Sequence, residues 1–317
     1  MEPLPLTNDE SGPFAGIYTL TLEQPGKPVV VLDHVLIQRL EATLRLVQRS
    51  ARGLVLRSAS DRVFVAGADL KAISELDDAQ LDAYLVYGSR VFAMLSELPC
   101  PTAAAMNGAA LGGGLELAMH CDALIGAPPP MKDGQPGKPY PVGLPEAGLK
   151  ICPGWGGTNL LPARMEPRRA IELTMTGTTM MVDEAMAAGL FDAFAPDAAA
   201  LLSTAKTWVA QAAAKPRMVR DGAPLHWIGR TAQTEHTGRS GVAASTLAAL
   251  ETLAREHEAD LASGGSIAAV LDAVNAGLVK GWQKALETER RHLIQLRASP
   301  SGREAIAAFF AKAAGKK

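Results

Sequence analysis

Two hydrophobic periods alternate along the first 126 residues of the chain. Two-residue alternation or a short apolar run predicts strands over Ile17–Glu23, Val29–Leu32 and Gly53–Ser58. Apolar side chains spaced three or four residues apart predict helices over Leu36–Val47 and Ala79–Leu98. Strands that alternate with helices in this way are typical of an α/β protein.

The alternation of strands and helices continues to Gly126, and after Pro196 the pattern becomes helical. A strand of small residues begins at Thr102, a helix is predicted over Gly113–His120, and another strand over Asp122–Gly126. After Pro196 the pattern predicts helices, over Ala198–Ala214, Val242–Ala262, Ile267–Leu296 and Arg303–Ala314. We therefore predict an α/β body over residues 1–195 that carries the active site. The helical region over residues 196–317 is expected to serve oligomerisation and closure of the pocket.

The composition excludes several classes of function. The chain has 31 Lys and Arg against 33 Asp and Glu, and the net charge of −2 provides no basic surface for nucleic acid or an anionic membrane. Its 3 cysteines are far apart, so neither a disulfide framework nor a zinc site is predicted. No secretory signal is visible, and the longest apolar stretch, Thr102–Met119, contains Asn107 and Glu116. We expect a soluble, cytoplasmic protein.

Candidate chemistry lies at a glycine-rich junction. Residues Asn107–Met119, NGAALGGGLELAM, place three consecutive glycines before a predicted helix that carries Glu116. Backbone N–H groups in the first turn of a helix have no partner within it, so a developing oxyanion can bind there. Two simpler interpretations remain open: the glycines only permit close packing of a helix on a sheet, and Glu116 is a solvated helix residue.

Two further segments have a similar form. Phe64–Ile73, FVAGADLKAI, places a small-residue turn before Asp69, which is suited to cap a helix. Gly143–Leu161 holds Glu146 directly after a proline and continues into the turn PGWGG, which indicates a fixed loop geometry around this carboxylate. An ordinary turn remains the alternative for this segment.

The order of these motifs carries more information than any one of them. FVAGADLK, NGAALGGGLELA, LPEAGLKICPGWGGT, AIELTMTG and DEAMAAGLFD together resemble the crotonase superfamily of enoyl-CoA hydratases and isomerases. The resemblance covers about Gly16–Phe194 and implies the ClpP/crotonase-like spiral of ββα units, with a helical C-terminal region. The tail Gly281–Lys312 is similar to the end of the hydratase domain in the multifunctional fatty-acid β-oxidation proteins.

The resemblance implies roles for five residues around a thioester. The backbone N–H groups of Ala68 and Gly113 would form an oxyanion hole that stabilises a thioester enolate. Glu146 would transfer a proton at C2, and Glu116 would hold and activate the water that attacks C3. The backbone of Gly154 would help to position that water.

The resemblance also implies where coenzyme A binds. Its nucleotide part would lie along the turn at Ala66, Asp69, Leu70 and Lys71, although Lys71 is equally well explained as a solvated helix residue. No metal and no redox cofactor is implied, because coenzyme A is part of the substrate. A homotrimer or a hexamer is expected, as is common in this superfamily.

The implied activity is hydration of trans-2-enoyl-CoA to 3-hydroxyacyl-CoA. The alternatives are a Δ3,Δ2-enoyl-CoA isomerase, which needs only Glu146, another acyl-CoA lyase or hydrolase of the superfamily, and a catalytically silent scaffold or binding protein. The chain departs from the family in one respect. Glu116 and Glu146 are 30 residues apart, about ten more than is usual, and such additional residues are commonly accommodated in surface loops. The additional residues fall in the Pro-rich segment Ala127–Val142, which is predicted to be a surface insertion that leaves both glutamates in place.

Overall fold

The computed structural model describes residues 1–132, 134–214, 221–230 and 241–314. The chain forms two compact units, each assembled from three segments. Unit 1 comprises residues 1–67, 90–142 and 180–226, and unit 2 comprises residues 68–89, 143–179 and 227–317. The division into residues 1–195 and 196–317 expected from the sequence concerns the roles of two parts of the chain, and it stays a prediction.

The strands and helices are numbered in chain order. The strands are β1 (Leu6–Asn8), β2 (Ile17–Leu22), β3 (Gly53–Ser58), β4 (Val63–Val65), β5 (Thr102–Met106), β6 (Ala109–Leu111), β7 (Ala123–Gly126), β8 (Met131–Lys132), β9 (Gln135–Pro136), β10 (Pro141–Gly143), β11 (Met180–Met181) and β12 (Ala193–Phe194). The first eight helices are α1 (His34–Leu44), α2 (Leu70–Glu75), α3 (Asp78–Glu97), α4 (Gly113–Met119), α5 (Gly157–Leu160), α6 (Pro167–Thr176), α7 (Val182–Ala187) and α8 (Leu201–Ala213). The remaining helices are α9 (Val242–Glu256), α10 (Glu258–Ser263), α11 (Ser266–Lys280), α12 (Trp282–Ala298) and α13 (Pro300–Ala314).

From β3 to β7, successive strands of unit 1 alternate between two sheets. The larger sheet has the order β1-β2-β3-β5-β7-β12, in which β1 pairs antiparallel with β2 and the other neighbours pair in parallel. The smaller sheet has the order β11-β10-β6-β4, so β4 and β6 leave the larger sheet after β3 and β5. After β7 the chain first forms the separate hairpin β8-β9 and then enters the smaller sheet at β10. Helices follow β4 and β6 in the chain. This repetition confirms the predicted α/β class and its ββα units.

One face of the larger sheet packs against α8. Alternate residues along β3, β5 and β7 point to this face, since side chains in a strand alternate between its two sides. The buried cluster includes Val55, Ala105, Ile125, Ala205 and Val209. The helix approaches closely because β5 contributes small side chains.

Residues Val29–Leu32 do not form the strand that their apolar run predicts. Val30 accepts a hydrogen bond from the N–H of Ala66 at 2.8 Å, and the N–H of Leu32 donates to the carbonyl of Gly67 at 2.9 Å. Val30 and Leu32 are buried, which accounts for the apolar run. Two backbone bonds to the segment after β4 take the place of a ladder.

The Pro-rich segment Ala127–Val142 lies at the surface of unit 1 in the part that the structure describes. Its strands β8 and β9 form a short antiparallel hairpin in which Met131 and Lys132 are exposed. Tyr140 is buried near its end, where its hydroxyl donates to the carbonyl of Ala127 at 2.7 Å. The hairpin borders an open groove of about 1240 Å³ in unit 1, which Gly113 and Glu116 do not line.

Unit 2 is built mainly from helices around an apolar core. Its buried cluster draws on α6, α9, α11 and α13, with Ile171, Leu253, Val274 and Ile306 among its members. The predicted stretch Ile267–Leu296 is divided into α11 and α12 at Gly281, whose φ of +87° strongly favours glycine. The predicted helix Val242–Ala262 is likewise divided at His257.

Across the described ranges of both units, no helix has the length and apolar character required to cross a bilayer.

Candidate active site

The glycine-rich junction of unit 1 leads from β6 into α4. Gly112 has φ +50° and ψ −127°, a conformation that side chains disfavour. Gly113 is the first residue of the helix, so its N–H has no acceptor within α4. Glu116 lies in the first turn and is 1% exposed. The interpretation of Glu116 as a solvated residue is therefore wrong.

The packing interpretation of the glycines holds for Gly114. A Cβ at this position would lie 2.4 Å from the carbonyl oxygen of Val65, so the absence of a side chain lets α4 lie against β4. The nearby Gly67 has φ +121°, and a Cβ there would lie 3.2 Å from the carbonyl oxygen of Leu111. Close backbone packing thus fixes the start of α4.

We expect Gly114→Ala to destabilise unit 1 by about 1–3 kcal/mol, the usual range for overpacking a well-packed interior. The added methyl group meets rigid backbone rather than the end of a flexible side chain. Gly265→Ala is the matched control, because the nearest atom to its Cβ is the Ser263 Oγ at 3.7 Å. Urea denaturation measures both free energies of unfolding. Equal values for the two variants would contradict the close contact at Gly114.

The AGAD segment enters unit 2 at Ala68 and begins α2. The Asp69 Oδ1 atom accepts from the N–H of Lys71 at 3.1 Å and of Ala72 at 3.2 Å, so its carboxylate caps the helix as the sequence predicts. The side chain of Lys71 is 71% exposed and lies 3.9 Å from Glu75. Leu70 is partly buried against the apolar core of unit 2. Helix α13 packs against both α2 and the 3-10 turn Glu146–Leu149.

Glu146 is the first residue of that 3-10 turn. The residue as a whole is partly buried, but its carboxyl oxygen Oε2 is enclosed and has no hydrogen-bond partner among the described residues. Burial raises the pKa of Glu146 to about 8, an effect that a hydrogen bond from its own backbone opposes and the negative charge of Glu289 strengthens. Burial therefore favours the protonated form of the Glu146 carboxyl.

A second buried carboxylate of unit 2 is Glu289, on α12. It is 0% exposed, and burial raises the pKa of its carboxyl against the opposing hydrogen bonds from Thr158 and Gly156. The N–H of Gly156 donates to Oε2 at 2.6 Å, and the N–H of Thr158 donates to Oε1 at 2.8 Å.

In the described part of the chain, no group of three His, Cys, Asp or Glu side chains is placed to hold a metal ion.

The turn that contains Gly154 lies directly before α5. The Trp155 indole N–H donates to the carbonyl of Leu85 at 3.0 Å, and its ring meets Tyr84 edge to face. A Cβ at Gly154 would lie 2.9 Å from Leu293 Cδ1. Gly154 is therefore enclosed by side chains of α3 and α12 within unit 2.

The sequence pattern of the enoyl-CoA hydratase/isomerase family matches residues 14–222, well over half of the chain. The chain belongs to this family. It is 31% identical over 315 residues to the fatty acid oxidation complex subunit alpha of Shewanella amazonensis, with 95% of this chain aligned. The chain spans 40% of the length of that relative. It is also 36% identical over 205 residues to the enoyl-CoA isomerase/hydratase fer4 of Mycosarcoma maydis, covering 62% of this chain and 71% of the relative.

Solved structures of similar proteins show the fold. An enoyl-CoA hydratase/isomerase from Pseudoalteromonas atlantica aligns with a TM-score of 0.63 at 18% identity, covering 98% of each chain. A carnitinyl-CoA dehydratase from Mycobacterium thermoresistibile aligns with a TM-score of 0.64 at 21% identity, covering 93% of this chain and 87% of the other. These likenesses confirm the crotonase fold that the motifs implied.

The predicted site residues of this enoyl-CoA hydratase/isomerase family member fall in both units. Unit 1 holds Ala66 and brings Gly113 and Glu116 together on α4. Unit 2 holds the other predicted positions, Ala68, Asp69, Leu70, Lys71, Glu146 and Gly154. Their catalytic and binding roles stay predictions.

Sequence reasoning missed Glu289. A signal for it exists in α12, where the buried positions Trp282, Ala285, Leu286, Leu293 and Leu296 follow helical spacing. Glu289 occupies the position on this face where another apolar residue is expected. An acidic side chain on the apolar face of a helix indicates a buried carboxylate with dedicated partners.

Proposed function

We propose that the protein hydrates trans-2-enoyl-CoA thioesters to 3-hydroxyacyl-CoA. The observation that carries the proposal is the enclosed carboxyl of Glu146, whose Oε2 atom has no hydrogen-bond partner among the described residues and whose pKa is raised by burial to about 8. Hydration requires a group that holds a proton at neutral pH and delivers it to carbon, and a raised pKa suits a glutamate to this task. Membership of the enoyl-CoA hydratase/isomerase family supports the same chemistry.

In the proposed step, the oxygen of water bonds to C3 while Glu116 takes a proton from that water. Electrons of the C2–C3 double bond move toward the thioester carbonyl, and the enolate oxygen accepts from the N–H groups of Ala68 and Gly113. Glu146 then delivers its proton to C2, which restores the carbonyl. The backbone of Gly154 helps to hold the water.

Coenzyme A is proposed to bind along the turn that contains Ala66, Asp69, Leu70 and Lys71. The Asp69 carboxylate is occupied with two backbone N–H groups, so its contribution is to fix the turn. The Lys71 side chain is 71% exposed, and its ammonium lies 3.9 Å from the Glu75 carboxylate. Because of this exposure, the ammonium remains accessible to a phosphate. No separate cofactor is needed, because the thioester makes the double bond electrophilic.

Crotonyl-CoA hydration by the wild-type protein tests the proposal, and its pH profile tests the role of Glu146. The acid must be protonated in the free enzyme, so kcat/KM is expected to fall about tenfold per pH unit as the pH rises above about 8. The loss of enoyl absorbance on hydration gives the rates from pH 6 to 10. No hydration of short, medium or long enoyl-CoA would refute the function, and a flat profile through pH 9 would refute the role of Glu146.

Isomerisation of 3-enoyl-CoA to 2-enoyl-CoA is the second candidate activity. The observation that favours it is the 36% identity to a relative named enoyl-CoA isomerase/hydratase. In this isomerisation the ionised form of Glu146 would take a proton from C2 and return it to C4, whereas hydration would use its protonated form. One carboxyl can therefore serve both reactions from opposite protonation states.

A further inference from the structure

One face of α12 contacts the turn that carries Gly154. The contacting residues are Trp282, Glu289 and Leu293, which are seven and four residues apart and so lie on the same side of the helix. A Cβ at Gly156 would lie 2.3 Å from the Trp282 ring, and one at Gly154 would lie 2.9 Å from Leu293. The glycines of the turn therefore let α12 approach its backbone.

Glu289 supplies the polar part of this contact. Besides the two backbone N–H donors, the hydroxyl of Thr158 donates to Glu289 Oε1 at 2.5 Å. Both carboxylate oxygens are thus used, at the start of α5, where N–H groups have no partner within the helix. These donors compensate the burial of its charge.

We propose that Glu289 is a positioning residue for the hydration reaction: it fixes the Gly154 turn by its hydrogen bonds and places a negative charge beside Glu146. The inference rests on the proposed function. A buried ion that loses a donor is strongly destabilised, so the carboxylate holds the turn in one position. The glycine proposed to orient the attacking water lies two residues before the first backbone donor.

The charge of Glu289 acts on Glu146 within the same unit. Burial is the larger cause of the raised Glu146 pKa, and the negative charge of Glu289 adds to it. Two neighbouring carboxyls in a region of low dielectric constant do not both ionise readily. The three hydrogen bonds that Glu289 accepts lower its pKa against the effect of burial, so Glu289 ionises more readily than Glu146.

Glu289→Gln tests both parts of the inference. Glutamine keeps the size of the side chain but removes the charge, and it has one oxygen where the carboxylate uses two. We expect kcat for crotonyl-CoA hydration to fall by about tenfold to a hundredfold, as a displaced catalytic group does, with KM changed less than about threefold. The upper limb of the kcat/KM profile is expected to move to lower pH, which a helix cap without influence on Glu146 would not cause.

Glu287→Gln is the matched control on the same helix. The Glu287 side chain is 50% exposed and pairs with Lys284 at 2.8 Å, away from the turn. It is expected to have wild-type kcat and a wild-type pH profile. A folded Glu289→Gln protein that behaves like this control overturns the inference.

Two substitutions of Thr158 keep the test open if Glu289→Gln fails to fold, as judged by circular dichroism. Thr158→Val removes the hydroxyl that donates to Glu289 and keeps the shape of the side chain, so kcat is expected to fall several-fold. Thr158→Ser retains the hydroxyl and is expected to restore most of kcat. Wild-type kcat and pH profile in Thr158→Val would overturn the inference.

A titration separates this inference from the proposed function. Carbon-13 NMR of protein labelled at the glutamate carboxyl follows Glu146 without any substrate, with Glu146→Gln assigning its signal. Coupled carboxyls titrate in steps that belong to the pair, so wild type is expected to show two steps and Glu289→Gln one step for Glu146 at lower pH. That shift in a protein without hydratase activity would refute the function alone. Its absence in an active hydratase would refute the inference alone.

Discussion

Glu146→Gln is expected to lower kcat for crotonyl-CoA hydration by about 10²–10⁴-fold, the usual contribution of general acid–base catalysis. The amide has the shape of the protonated carboxyl but cannot deliver a proton to C2. Because the enclosed Oε2 atom makes no hydrogen bond among the described residues, the substitution breaks no such contact there. KM is expected to change little, so the loss falls on the chemical step.

Glu251→Gln, at an exposed position of α9, is the control for this substitution and is expected to retain wild-type kcat. Thermal unfolding provides a second readout. A carboxyl with a raised pKa contributes stability that is present in full below the ordinary glutamate pKa and is lost as the pH rises through about 8. Wild type is therefore expected to lose more stability than Glu146→Gln between pH 5 and 9. Equal hydration rates for wild type and Glu146→Gln would remove Glu146 from the mechanism.

Glu116→Gln is expected to reduce hydration by a similar factor, about 10²–10⁴-fold, because the water loses its base. Isomerisation of 3-enoyl-CoA is expected to persist in the same variant, since that reaction uses no water and needs only Glu146. Hydration and isomerisation assays on one preparation give the ratio of the two activities. This ratio distinguishes a two-glutamate hydratase from an isomerase.

The control for Glu116→Gln is Glu10→Gln, an exposed acid of unit 1. Because Glu116 is only 1% exposed, its substitution can disturb the fold. Circular dichroism must therefore show that the variant is folded. Hydration at the wild-type rate in a folded Glu116→Gln protein would rule out the two-glutamate mechanism. Loss of both activities together would instead indicate that Glu116 serves proton transfer in each reaction.

The larger features of the fold were predictable because they depend on local patterns. Short apolar strands separated by amphipathic helices predict ββα units wherever each strand finds a neighbour in a sheet. The run Val29–Leu32 shows the limit of this reasoning, because Val30 and Leu32 are buried although the run forms no strand. The break at Gly281 shows another, since spacing on either side of it is helical and only the backbone angle separates the two helices.

The site was predictable to the extent that its parts are short motifs. Gly113 and Glu116 lie in one seven-residue helix, so their relation is local and visible in the sequence. The properties of Glu146 depend on distant residues, since Glu289 is 143 positions further along the chain and influences its pKa. Hydrogen bonds that join residues 131 and 133 positions apart leave no local signal of their own.

The position of Glu289 beyond residue 222 also matters for anyone who recombines this protein with its relatives. The family match ends before α12, so a chimaera cut at that boundary would combine one parent's Gly154 turn with another parent's tail. Glu289 pairs with Thr158, and Trp282 packs against Gly156. Exchange of only one partner of either contact would leave a cavity or a clash, because residues in contact do not act independently. Residues 153–158 and 282–293 of a chimaera should therefore come from the same parent.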